Sequence, residues 1–183
     1  MSEKRKWFGE ERRNKIVSLL QTRDEPQTGS ALAEELNVSR QVIVQDISLL
    51  KARNIPVIAT SQGYVLNEQD PQSILFSKVI ACFHPPEKAE EELFVLVDHG
   101  ITVKDVKVEH PIYGDLTASI MVSSRKEVKQ FIEKVKETNA SYLSELTDGV
   151  HLHTLEAKSK EDLDDGIRAL DKAGFLLHDH AAK

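Results

Sequence analysis

The chain holds one cysteine, Cys82, among 183 residues. A disulfide framework within the chain is thereby excluded, and a lone thiol fits a reducing cytoplasm. No apolar run approaches the roughly 18–20 residues that cross a bilayer as a helix. The opening stretch MSEKRKWFGEERRNK lacks the apolar core of a secretory signal. Internal repeats and low-complexity segments are missing too. So is any excess of positive charge: the net charge is −6, which at first argues against a nucleic-acid partner. What is left, with 40% apolar and 30% charged residues, is the composition of an ordinary soluble chain, expected in the cytoplasm with no membrane association. Its length suits one large or two small domains.

The charge is unevenly spread. Residues 1–67 hold 10 Lys and Arg against 8 Asp and Glu; residues 68–183 hold 14 against 22. A mildly basic front and an acidic back point to two modules with different partners. The composition breaks at NEQDPQS, polar and carrying Pro71, which reads as a linker over 67–73 between a domain at 1–66 and another at 74–183.

The front module reads as three helices and a hairpin. Ile16, Val17, Leu19 and Leu20 give an apolar stripe to a helix near 9–22. TGSALAEELN gives a short helix with Leu32, Ala33 and Leu36 on its apolar face. The turn Asn37-Val38-Ser39 leads to a longer helix, for which Ser39 is an N-cap, and Ile43, Ile47 and Leu50 face a core at i, i+4, i+7. PVIATSQGYVL reads as strand, turn, strand with Gly63 in the turn. Helix, turn, helix and hairpin in that order predict a winged helix-turn-helix.

The opposite face of the third helix carries Arg40, Gln41, Val44, Gln45 and Ser48, one continuous surface. Arg pairs bidentately with guanine, Gln with adenine, and Val44 suits a thymine methyl. With Ser39 and Lys51 at its two ends, this face is the expected contact with operator double-stranded DNA. Lys51, Arg53 and the cluster Lys4, Arg5, Lys6 suit phosphates, which supply salt-dependent affinity without sequence information. A solvated helix face in a protein-binding winged helix is the plainer alternative.

The back module runs β-α-β-β-α-β-α: ILFSKVIACF, PPEKAEEELFVLVDHG, TVKDVKVEH, DLTASIMV, SRKEVKQFIEKVKETNA, VHLHTLEA and SKEDLDDGIRALDKAG. Helices covering one face of such a sheet make a two-layer α+β domain. In GVHLHTLEA the alternation places His151 and His153 on one strand face, about 6.5–7 Å apart at Cα, close enough to converge on one ion. CFHPPEKAEEEL adds Cys82, His84 and the acidic run Glu90, Glu91, Glu92. From spacing alone, histidines satisfied by ordinary hydrogen bonds and a cysteine acting as a small buried hydrophobe are the simpler account. His178-Asp179-His180 repeats the spacing in a polar tail and reads as solvated.

Three lesser signals complete the inventory. Ser124-x-x-Glu127 reads as a capping box, with an anion site using Arg125 as its alternative. His110 in HPIYGDL sits in a turn with Gly114, or else lines a ligand pocket. His99 fits a helix C-terminus.

Two resemblances sharpen these readings. TGSALAEELNVSRQVIVQDI, within residues 9–66, resembles the winged helix-turn-helix of biotin-repressor-type regulators. ACFHPPEKAEEEL, VEHPIYGDLTASIMVSSRKEV and LTDGVHLHTLEA, across 72–178, are similar to the 3H domain. Joined, the two resemble the nicotinate-responsive repressors of NAD-biosynthesis and niacin-uptake genes. The resemblance implies a mixed α/β chain of two domains, the second HPr-like, and a homodimer on operator DNA with nicotinic acid as co-repressor. It also implies one divalent transition metal per chain, zinc or nickel, on His84, Glu92, His151 and His153, with adjacent Glu91 the alternative to Glu92. A metal sensor, a metal-dependent enzyme fused to a winged helix, and a phosphotransfer domain using His84 are the competing readings.

Overall fold

The computed structural model describes residues 7–67 and 75–178. The chain divides into two compact units, Met1–Asp70 and Pro71–Lys183. The cluster Lys4, Arg5, Lys6, the linker residues 68–73, and Asp179 and His180 lie outside the described residues.

The first unit contains α1 (Gly9–Thr22), α2 (Gly29–Glu35), α3 (Arg40–Ala52), β1 (Val57–Ala59) and β2 (Tyr64–Leu66). Thr28 and Ser39 cap α2 and α3, their hydroxyls accepting from Ala31 N at 3.1 Å and Val42 N at 3.4 Å. Asn37 in the turn and Asn54 after α3 take positive φ, which Asn tolerates better than most residues. The expected stripes meet in one core of Ile16, Leu19, Leu20, Leu32, Leu36, Ile43, Ile47 and Leu50, closed by Val57. Each such side chain contributes about 1.5–3 kcal/mol by leaving water.

An ionic contact supplements that core. Asp46, buried on α3, receives Arg12 at 2.5 Å and Arg13 at 3.3 Å from α1. The hairpin is antiparallel, and Tyr64 exchanges backbone hydrogen bonds with Gln27. Gly63 is required there, because a Cβ would lie 2.6 Å from the Gln27 backbone.

The second unit contains β3 (Phe76–Phe83), α4 (Ala89–Asp98) after a 3₁₀ turn at Pro86–Lys88, β4 (Thr102–His110), β5 (Gly114–Val122), α5 (Arg125–Thr138), a 3₁₀ turn at Leu143–Thr147, β6 (Val150–Ala157) and α6 (Lys160–Lys172). The order is the β-α-β-β-α-β-α read from the sequence. The sheet is antiparallel with order β3-β6-β4-β5, so the last strand enters between the first and second. Leu93, Leu96, Val128, Ile132, Leu163 and Leu170 of the helices pack on Ile80, Val103, Ile120, Val122 and Leu155 of the sheet. This is the two-layer α+β arrangement expected. Register shifts between Val103 and Asp105 of β4 against both neighbours, an irregularity of the kind that re-aims groups beside functional sites.

Candidate functional site

The central strand β6 alternates: Val150 and Leu152 are exposed, while His151 and His153 are buried on the inner face. Its neighbour β3 sets Cys82 opposite His151 and Ile80 opposite His153, and His84 follows β3 directly. Glu92 comes from the first turn of α4 and is 1% exposed. Its Oε2 faces Nε2 of His84 at 2.7 Å, of His153 at 3.3 Å and of His151 at 3.4 Å. Glu91, the alternative, points to solvent and pairs with Lys88 at 2.5 Å.

The far nitrogen of each ring is also occupied. Nδ1 of His84 meets Pro85 O at 2.9 Å, that of His151 meets Gly149 O at 2.9 Å, and that of His153 meets Asp105 O at 2.6 Å. A carbonyl only accepts, so each Nδ1 carries the proton and donates it. Each Nε2 then turns a lone pair, or a second proton, toward Glu92. Burial opposes charge on these groups. Even so, hydrogen bonding and attraction to Glu92 raise the pKa values of His84 and His153, and the imidazoles hold the Glu92 carboxyl well below its ordinary range.

Glu92 Oε1 is buried with no hydrogen-bond partner among the described residues. Three ring nitrogens with their outer nitrogens on carbonyls, and one spare carboxylate oxygen, fit a divalent late transition ion. Cys82 Sγ, a Glu92 oxygen and a His151 nitrogen also lie within 4.8 Å of one another. Burial, then the Glu92 charge, pushes the Cys82 thiol up, and the residue packs in the apolar core.

A cavity of about 310 Å³ adjoins the cluster. His84, Glu92, His151 and His153 line it together with Leu93, Val106, Ile120, Phe131, Val135, Tyr142, Leu143 and Ser144. No Lys or Arg is among its lining residues within the described part of the chain. The wall from 140 to 144 carries no periodicity that the sequence reading could use. The carbonyls of Pro85, Asp105 and Gly149 were likewise invisible to it, although Asp148-Gly149 is a turn dipeptide.

The two further ligand-binding expectations do not meet at this cavity. His110 sits in the β4–β5 turn, its Nδ1 accepting from Ile112 N and Tyr113 N at 3.2 and 3.3 Å. Arg125 pairs with Asp98 and lies 4.4 Å over the Phe94 ring. His110 thus sits in a turn, and the return contact of Glu127 falls one residue before the N-cap position that a capping box uses. Ser124 caps α5, and Glu127 reaches back to Ser123 N at 2.7 Å. His99 ends α4 with its Nδ1 on Val95 O, and His178 is exposed beside Asp171.

Comparison with known proteins decides the class. A 3H-domain family model matches residues 77–179, and an HTH-domain model matches 12–65. The chain is 56% identical over 180 residues to the Bacillus subtilis protein named transcription repressor NadR, covering 98% of this chain and all of that protein. It is 42% identical over 170 residues to the Thermotoga maritima probable transcription repressor NiaR, covering 93% of this chain and 95% of that one. The chain belongs to the 3H-domain family of transcription repressors.

A 3H-domain repressor is a DNA-binding regulator rather than an enzyme. No helix among the described residues is long and apolar enough to cross a membrane. On α3, Arg40, Gln41, Gln45, Ser48 and Lys51 are exposed, and Val44 is half-buried among them. Ser39 caps the helix, and Ser48 Oγ donates to Val44 O at 2.9 Å. Arg53 is exposed and paired with Glu10 at 3.2 Å.

Proposed function

We propose that this repressor binds operator DNA as a homodimer, holds one divalent transition metal on His84, Glu92, His151 and His153, and takes nicotinic acid as co-repressor in the adjoining cavity. The observation that carries the reading is the buried Glu92 Oε1, without a hydrogen-bond partner among the described residues, beside three imidazoles tautomerically set by carbonyls. When bound, zinc or nickel would supply positive charge and a coordination position for an anion. That charge would suit the cavity, since among the described residues its lining holds the Glu92 carboxylate and the three imidazoles but no Lys or Arg, and the rest is largely apolar. Phe131, Tyr142, Leu143 and Val106 offer the apolar surface that an aromatic ring requires.

At the DNA, α3 enters the major groove with Arg40, Gln41, Val44, Gln45 and Ser48 toward base edges, Lys51 toward phosphate and Ser39 at the helix N-terminus. Two copies would set two recognition helices one DNA turn apart, roughly 34 Å. Operator-binding titrations with nicotinic acid, nicotinamide and free metal, on loaded and chelated protein, test the whole. Tightening by nicotinic acid only in the loaded protein is expected. Operator affinity that follows free metal with no effect of nicotinic acid would favour a metal sensor. Equal response after chelation would remove the metal from the effector site.

A further inference from the structure

We propose that Gly149 is a positioning residue of the histidine–glutamate centre, fixing His84 and His151 together through its backbone. The proposal rests on reading that centre as a metal site. Gly149 joins the 3₁₀ turn Leu143–Thr147 to β6 at φ +97°, a conformation that residues bearing a Cβ rarely adopt. A Cβ built there would lie 2.5 Å from the His84 carbonyl oxygen and 3.2 Å from its carbonyl carbon. The Gly149 carbonyl accepts from His151 Nδ1 at 2.9 Å and from His84 N at 3.4 Å. Its own N–H donates to Ser144 O at 2.9 Å.

The carbonyl of Gly149 therefore touches the backbone of one proposed ligand and the ring of another, and the N–H of the same residue ties it to Ser144 in the cavity wall. It has no room to withdraw. On one side it is hydrogen-bonded to Ser144, and on the other Val150 is already paired with Phe83 of β3. A methyl group at Gly149 must displace the His84 backbone or rotate the carbonyl that orients His151. Metal–ligand distances tolerate only about ±0.2 Å, and loss of outer contacts to ligating histidines costs roughly 10–100-fold in metal affinity.

The test uses the full chain, chelated and then titrated with zinc against a chromophoric competitor, with the cobalt absorption spectrum as a second readout. Gly149→Ala is compared with Gly114→Ala. Gly114 also has positive φ, +68°, but nothing among the described residues lies within 4 Å of an added Cβ. It therefore shares the backbone strain without the collision. Gly149→Asn is a second variant, since Asn tolerates positive φ better than Ala while keeping the collision. Both Gly149 variants are expected to weaken zinc binding roughly 10–100-fold and to alter the cobalt spectrum, with Gly114→Ala close to the parent. Parent-like affinity and spectrum in the Gly149 variants, or an equal loss in Gly114→Ala, overturns the positioning role. A parent chain that takes up no zinc or cobalt overturns the metal reading itself, a separate result.

Discussion

At the scale of single residues, Glu92 carries the most weight. It is a buried carboxylate serving three imidazoles with one oxygen while the other oxygen has no partner among the described residues. Glu92→Gln keeps its size and removes the charge. We expect zinc affinity to fall more than about 100-fold, beyond the effect of losing an outer contact, and Glu91→Gln to change it little; competition titration measures both. The same cluster sets a pH dependence for the chelated protein. Raised pKa values at His84 and His153 stabilise the fold fully below their ordinary value of about 6.5, and that contribution is lost as pH rises through the folded values. The lowered Glu92 value stabilises above its ordinary value of about 4.3 and is lost as pH falls through the folded value. Thermal midpoints of chelated protein should therefore peak between about pH 4.3 and 6.5 and decline toward alkaline pH. Zinc-loaded protein should gain relative to it as pH rises, because metal displaces protons. A midpoint of chelated protein that climbs from pH 6.5 to 9 would contradict the assignment.

At the scale of elements, α3 serves two sides. Its inner face packs through Ile43, Ile47 and Leu50, and Asp46 pins it to Arg12 and Arg13 of α1. Removing one member of a buried ion cluster strands the others, so Asp46→Ala should destabilise the first unit by about 3 kcal/mol, read in urea unfolding. Its outer face is a set of polar side chains whose effects separate by type. Gln41→Ala should change base preference by about 1–3 kcal/mol, whereas Lys51→Ala should lower the salt slope by about one without changing preference. Quantitative footprinting at several salt concentrations distinguishes these, and a footprint indifferent to both substitutions would move the DNA face elsewhere.

At the scale of the whole molecule, the proposed co-repressor and the operator would act on one equilibrium. If nicotinic acid tightens operator binding by some factor, operator must tighten nicotinic acid binding by the same factor. Calorimetric titration of nicotinic acid with and without operator duplex checks this, and equal affinities would end the co-repressor reading. Much of the architecture behind it was legible in advance, because periodicity and caps are local. Ile16, Leu32, Ile43 and Ile47 declared their faces by helical spacing, and Ser39 and Ser124 declared helix starts. The alternation of VHLH placed two rings on one face for the same reason.

Other features depend on contacts between distant segments. Lateral strand order puts β6 between β3 and β4, and only that order brings His84 beside His151 and sets the Asp105 carbonyl against His153. The choice of Glu92 over Glu91 is one of rotation about α4, a matter of about 100° per residue, decided by which side chain meets the sheet. The cavity wall from 140 to 144 and the buried Asp46 cluster likewise come from packing. Two modules, their elements, the polar face of α3 and the paired histidines follow from spacing along single segments, without tertiary contacts. The convergence of the four residues, their hydrogen-bonded outer nitrogens, the cavity and the contacts of Gly149 came only with tertiary structure, because each needs groups from separate strands and turns brought close together.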